Sequence, residues 1–228
     1  MNWIGNGQSD IGCDRSTNED SFLIDNAAGL FLVADGMGGH PGGEVASELV
    51  AAELPNFVRH TVEKGHSLAD PRFHTMLQED IVAVNDLIVR EGVQRGLPGM
   101  GTTFVMLLIR DDHALVIHVG DSRCYRYGDG QLTLLTRDHA STTHENVLTL
   151  VMGMEEPVQG DIELFEAGPR DEFLLCSDGL NHMLADAEIL RAYEAGPAEE
   201  VSDRLIEAAK TAGGHDNITV IHVRQPAD

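Results

Sequence analysis

The sequence predicts an α+β layered domain, with strands and helices in separate stretches of chain. Short runs rich in Val, Leu, Ile, Thr and Tyr recur between turn dipeptides, and apolar residues at helical spacing fill blocks of their own. The 228 residues are 42% hydrophobic and 23% charged, an ordinary globular balance, and a chain of that length buries roughly 70 to 75% of its unfolded surface. No repeat, low-complexity run or linker divides it, which predicts one domain over 1–228.

Alternation around 22–24 and the apolar run 30–34 predict two strands joined by a turn. The glycine-rich loop 36–43 then opens a helix. Val45, Ala46, Leu49 and Val50 recur at helical spacing, and Phe57 and Val58 continue after a kink or break at Pro55. A second helix runs from about Phe73 along a stripe that includes Leu77, Ile81, Val84 and Ile88, and Gly96 with Pro98 ends it. Residues 102–109, 113–119, 123–127 and 131–136 read as an antiparallel meander with DD, GDS and GDG turns. A strand pair is expected at 161–166 and 172–176, helices at 186–193 and 198–211, and a last strand at 218–223.

Charge narrows the function. With 38 acidic residues against 15 Lys plus Arg, the net charge of −23 repels phosphate backbones and anionic headgroups, so nucleic acid and membrane surfaces are poor partners. An anionic substrate therefore needs cations to receive it. Cys13, Cys124 and Cys176 are odd in number and lack CxxC spacing, which excludes a disulfide framework or thiolate zinc cluster and fits a reducing cytosol. The N-terminal residues lack a signal-peptide pattern, and no segment approaches the roughly 20 apolar residues of a bilayer span, so a cytoplasmic protein is expected.

Acids recur where strands end: Glu19 and Asp20, Asp35 in VADGMGG, Asp121 in VGDSR, Asp178 in CSDGL and Asp216 in GGHDN. Asp-Gly is a common turn dipeptide, and any one of these acids alone reads as a turn former. Asp35 and Asp178 are different, because each ends a strongly apolar run where a lone buried charge is costly without a partner. Magnesium or manganese supplies that partner, since both favour carboxylates, carbonyls and retained waters over nitrogen and sulfur.

The ordered motifs Arg15-x-x-Asn18-Glu19-Asp20, Ala34-Asp35-Gly36-Met37-Gly38-Gly39-His40, Gly101-Thr102-Thr103, Gly120-Asp121-Ser122-Arg123, Thr136-Arg137-Asp138-His139, Cys176-Ser177-Asp178-Gly179-Leu180 and Gly214-His215-Asp216-Asn217-Ile218-Thr219 span nearly the whole chain. Together they resemble the metal-dependent protein serine/threonine phosphatases, the PPM or type 2C family, in its compact bacterial form. The resemblance implies a four-layer α-β-β-α sandwich of two antiparallel sheets flanked by helix pairs, with a two-metal centre at one end. By position, Asp35 matches the carboxylate shared by both Mn2+ or Mg2+ ions, the Gly36 carbonyl a ligand to one, and Asp178 and Asp216 the carboxylates of the other. Glu19 and Asp20 match the pair that binds or orients the waters, Asp121 with Asp178 a third, weaker metal position, and Arg15 the residue that grips phosphate.

Those roles cohere chemically. Two divalent ions roughly 3.5 to 4 Å apart lower the pKa of a shared water and clamp the oxygens of an in-line displacement at phosphorus, so no protein nucleophile is needed. Arg15 offers a bidentate fork that lysine lacks. Ser122, Ser177 and Cys176 have neither a GxSxG elbow nor a paired His, and loop 36–43 lacks the Lys-Ser/Thr of a P-loop. His40, His139, His144, His182 and His215 occupy polar or turn contexts and are not assigned to metal. Met37 stands where some members carry a histidine proposed as general acid, which leaves the proton donor open, a metal-bound water being the simplest.

About six residues separate His139 from Asn146, where the family carries a longer flap, so a shortened flap is expected around 138–146. The expected function is hydrolysis of phosphoserine and phosphothreonine in phosphorylated proteins, opposing a bacterial Ser/Thr kinase. The alternatives are a non-catalytic or weakly catalytic interaction module binding a kinase or phosphoprotein, and a hydrolase of small phosphate esters.

Overall fold

A computed structural model describes residues 2–143 and 147–226. The chain runs β1 (Ile4–Asp10), β2 (Asp20–Asp25), β3 (Leu30–Asp35), α1 (Gly43–Glu63), α2 (Pro71–Arg95), β4 (Phe104–Arg110), β5 (His113–Val119), β6 (Arg123–Gly128), β7 (Gln131–Leu134), β8 (Asp161–Glu166), β9 (Glu172–Cys176), α3 (Asp178–Asn181), α4 (Asp186–Glu194), α5 (Val201–Thr211) and β10 (Ile218–Arg224). Two five-stranded antiparallel sheets result, ordered β1-β10-β9-β6-β7 and β2-β3-β4-β5-β8.

Strand β3 shows why the sheets stack. Phe31 and Val33 face the other sheet, packing among Val105, Leu107, Phe173 and Ile221, while Leu30 and Leu32 face α1 and α2 beside Val50, Leu54, Phe73 and Leu77. A strand covered on both sides reads as a continuous apolar run, as LFLVAD does. On the far side, Tyr125, Leu174 and Val220 pack under Ile189, Tyr193 and Leu205 of α4 and α5. The layers are therefore α-β-β-α, as the resemblance implied. Each fully buried large side chain contributes about 1.5 to 3 kcal/mol, which makes the sandwich a stiff support for the loops at its ends.

Several details depart from the sequence reading. β1 was not anticipated, because IGNGQSD has little strand character. Its glycines are the reason it fits: a Cβ at Gly5 would come within 2.7 Å of the Phe31 ring. α1 continues unbroken through Pro55, which is buried inside it. The expected meander is divided, since β4 and β5 belong to one sheet and β6 and β7 to the other. The chain crosses between sheets at Gly120, whose φ of 101° suits glycine. Strands β8 and β9 do not pair with each other: β8 joins β5, and β9 joins β6 and β10. α3 is an additional short helix, and α5 is preceded by a 3-10 turn at Ala198–Glu200.

The caps of α2 follow the expected chemistry. Asp70 accepts the Arg72 N–H, Pro71 occupies the first turn, and Gly96 closes the helix at φ 72°. In the region expected to hold a shortened flap, Ser141 N–H bonds to the Val147 carbonyl and Thr149 N–H to that of His139. Residues 144–146 of that region, His144 among them, lie outside the described residues. Among the described residues no helix is long and apolar enough to cross a membrane.

Candidate functional site

The crossings between layers bring distant acids to one end of the sandwich. Asp20 opens β2 and Asp35 closes β3, and the two are register partners. Asp121 follows the Gly120 crossing, Asp178 starts α3 directly after β9, Asp216 precedes β10, and Arg15 and Glu19 lie on the loop between β1 and β2. Arg15, Glu19, Asp35, Gly36, Asp121, Asp178 and Asp216 all line one cleft of about 550 Å³. Asp20 adjoins them without lining it. Every site residue expected from the sequence is thus part of one constellation.

Each member is held by bonds the motif order did not reveal. Thr102 Oγ1 and Thr103 N–H both donate to the Asp35 carbonyl, at 2.7 and 2.8 Å. Asp20 Oδ2 accepts from Thr219 Oγ1 at 2.6 Å and Ser177 Oγ at 2.8 Å. Asn217 is buried; its Oδ1 accepts the Glu19 N–H at 2.8 Å and its Nδ2 donates to the carbonyls of Ile11 and Thr17. Thr102, Thr103, Asn217 and Thr219 stood in the quoted motifs, yet nothing in spacing alone assigns a hydroxyl or amide to a particular carboxylate.

The electrostatics are those of crowded anions. Burial, followed by the charges of Asp20, Asp178 and Asp121, holds Asp35 well above the usual carboxylate range, and its carboxyl group adjoins that of Asp178. Burial pushes Asp20 up to about 7 against the bonds from Thr219 and Ser177, with Asp178 and Asp216 adding to the rise. Asp121 is pushed up to about 6 by burial and then by Asp178. Burial, then Glu44, raises Glu19. Arg15 is raised: burial opposes its charge, but Asp216, Glu19 and Asp35 together outweigh it. Burial also pushes the Cys176 thiol up to about 12, which removes it as a nucleophile.

Two buried oxygens, Glu19 Oε2 and Asp20 Oδ1, have no hydrogen-bond partner among the described residues. Buried carboxylate oxygens without donors are costly unless a cation meets them. The backbone is correspondingly tight: a Cβ on Gly36 would lie 2.4 Å from the Gly43 carbonyl group, and one on Gly38 would lie 2.6 Å from Arg15 Nη1. Acidic oxygens around one guanidinium, with no thiol lining the cleft, form a hard donor set that fits magnesium or manganese. His40 and His182 also line the cleft. The apolar side chains of Met37, Val147, Leu148 and Val151 form part of its wall.

Comparison with known proteins supplies a name for this arrangement. Residues 9–217 match the family model described as protein phosphatase 2C. The serine/threonine protein phosphatase PstP of Mycobacterium tuberculosis is 35% identical over 233 residues, covering 94% of this chain; the chain spans 43% of that relative's length. The solved structure of PppA, a regulatory component of the type VI secretion system in Pseudomonas aeruginosa, is 33% identical with a TM-score of 0.86, covering 98% of both chains. A catalytic domain of PstP solved in complex with two manganese ions is 34% identical with a TM-score of 0.83, again covering 98% of both. A match over most of the chain, on a sandwich whose acidic end gathers the motifs in order, makes this protein a member of the protein phosphatase 2C family.

Proposed function

We propose that this chain is a metal-dependent phosphatase of phosphoserine and phosphothreonine in proteins, acting in the cytosol and opposing a bacterial Ser/Thr kinase. The observation that carries the reading is the convergence of five carboxylates and Arg15 at one cleft, with Asp20 beside them, where burial and mutual repulsion leave the acids short of cations. A phosphatase relative solved with two manganese ions supports the same assignment.

In this reading Asp35, the Gly36 carbonyl, Asp178 and Asp216 would hold a pair of Mn2+ or Mg2+ ions. Glu19 and Asp20 bind or orient waters, and Asp121 with Asp178 offers a third position. When bound, such ions supply Lewis-acid charge at the phosphoryl oxygens and make water a stronger nucleophile. The chain's own groups do the rest. Arg15 turns from Asp216 to the non-bridging phosphate oxygens, which its planar fork fits. Ser177 and Thr219 keep one Asp20 oxygen engaged, while the other is buried without a donor. Met37 lines the cleft and has no proton to donate, so the leaving alkoxide takes its proton from elsewhere.

The reading extends over 1–228 as one catalytic domain with a shortened flap around 138–146. Intact Arg15, Asp35, Asp178 and Asp216 disfavour a non-catalytic interaction module. The test is hydrolysis of p-nitrophenyl phosphate with and without Mn2+, beside an Asp178→Asn variant. Turnover is expected only with added metal and only in the wild type; rates indistinguishable from buffer under all conditions would return the chain to the interaction-module reading. Phosphothreonine peptides should be cleaved faster than phosphotyrosine peptides.

A further inference from the structure

His182 is a cleft-lining residue to which the phosphatase reading gives no task. It follows α3, four positions after Asp178, and its backbone N–H bonds to the Asp178 carbonyl at 2.8 Å. That spacing sets both side chains on one face of the turn. Nδ1 of His182 lies 3.3 Å from Asp178 Oδ2, and the histidine side chain is half exposed. Asp121 arrives from the crossing between sheets, so that one donor atom from each of the three residues lies within 4.8 Å of the others.

Those distances suit a single cation. Donors at about 2.0 to 2.3 Å from an ion sit roughly 3 Å apart when adjacent and up to about 4.5 Å when opposed, so a small side-chain rotation closes the set. A second group of similar composition, His118, His139 and Asp161, brings its donor atoms equally close, but His118 Nε2 is already bonded to the Arg137 carbonyl. Its two rings stack with 9° between their planes, so their in-plane lone pairs run side by side, and His139 Nδ1 already accepts the Gly120 N–H.

We propose that Asp121, Asp178 and His182 form a third cation site in which His182 contributes a nitrogen ligand, and that this nitrogen makes the site select zinc-like cations over magnesium. The proposal rests on reading Asp178 as a ligand of the neighbouring metal pair, and it differs from the all-oxygen third position that Asp121 and Asp178 offer alone. Imidazole favours borderline transition cations, whereas magnesium favours oxygen in near-ideal octahedra and gives up its water reluctantly.

The experiment uses the full chain loaded with Mn2+, read by equilibrium binding and by pulsed electron paramagnetic resonance, which detects nitrogen bound to manganese. The wild type should show 14N coupling. His182→Ala should lose it, while His40→Ala, altering the other histidine of the cleft, should keep it. His182→Asp should bind as many Mn2+ ions as the wild type without the coupling, which separates ligand exchange from misfolding. Zn2+ should displace the nitrogen-coupled Mn2+ at a concentration at least about tenfold lower than Mg2+ does. Two bound Mn2+ ions with no nitrogen coupling in the wild type, coupling that survives in His182→Ala, or displacement equally easy by Mg2+ would overturn this proposal and leave the metal pair intact. No bound Mn2+ at all would overturn the metal pair itself, and this site with it.

Discussion

Arg15 Nη2 lies 2.6 Å from Asp216 Oδ2, so the guanidinium proposed to receive phosphate is held by a carboxylate proposed to hold a cation. Each is the other's placeholder. A cation on Asp216 would free Arg15, and phosphate on Arg15 would free Asp216, which would couple the two ligands with equal strength in both directions.

Inorganic phosphate should therefore bind more tightly with Mn2+ than in chelator. An ion pair this open contributes roughly 1 kcal/mol or less, so releasing Arg15 accounts for about a fivefold change, and direct attraction adds to it. Calorimetric titration of phosphate at fixed pH, with and without Mn2+, measures the coupling. Equal affinities would break the link drawn between the two residues.

Asp35→Asn should abolish metal-dependent turnover, by at least roughly 100-fold in kcat/KM, the scale on which one electrostatic group of an active site counts. The same change should stabilise the metal-free protein. It removes an acid that burial and the charges of Asp20, Asp178 and Asp121 all disfavour. A gain of about 1 kcal/mol at pH 8 corresponds to a Tm rise of roughly 2 to 4 °C in a chain of this size. Differential scanning calorimetry in chelator checks the sign, and a lower Tm would contradict the crowded-anion account.

Acid should stabilise the metal-free protein, opposite to the usual behaviour of paired carboxylates. Asp20 and Asp121 have folded-state values of about 7 and about 6, above the unfolded value near 3.8. A raised folded pKa gives stability that is fully present below the unfolded value and is lost as pH rises through the folded one. Melting temperature in chelator should thus fall between about pH 4 and pH 7, and saturating Mn2+ should flatten or reverse that slope by binding the folded form. A metal-free melting temperature that climbs over this interval would be incompatible with it.

Asn217→Asp should be more harmful than its size suggests. The aspartate keeps an acceptor for the Glu19 N–H but cannot donate to the carbonyls of Ile11 and Thr17. Leaving two acceptors unmatched beside a buried charge costs about 2 to 4 kcal/mol and loosens the loop that carries Arg15. Urea unfolding should show the loss, and KM for a phosphopeptide should rise more than kcat falls. A variant with wild-type stability and KM would remove Asn217 from the list of positioning residues.

The legible features were those written in local pattern. LFLVAD and FLLCSD read as buried strands ending in acids because strands covered on both faces are apolar throughout. Gly96 ends α2 where it was expected, because only glycine takes that backbone freely. β1 was invisible for the opposite reason. Gly5 and Gly7 carry no strand signal, and their fitness comes from Phe31, Ile24 and Phe22 in the facing sheet. Pro55 reads as a breaker, yet α1 runs through it, and the proline is buried there.

Pattern and motif order were thus enough to predict the layered class and to single out acids that meet at one cleft, since these depend on residue type and near neighbours. Partnership was another matter. That β5 and β6 separate into different sheets, that Arg15 meets Asp216, that Asn217 ties down Glu19 and that Asp121 meets Asp178 are consequences of how the layers stack. Contacts across some two hundred residues have no local periodicity to announce them, so they became visible only once the chain was folded.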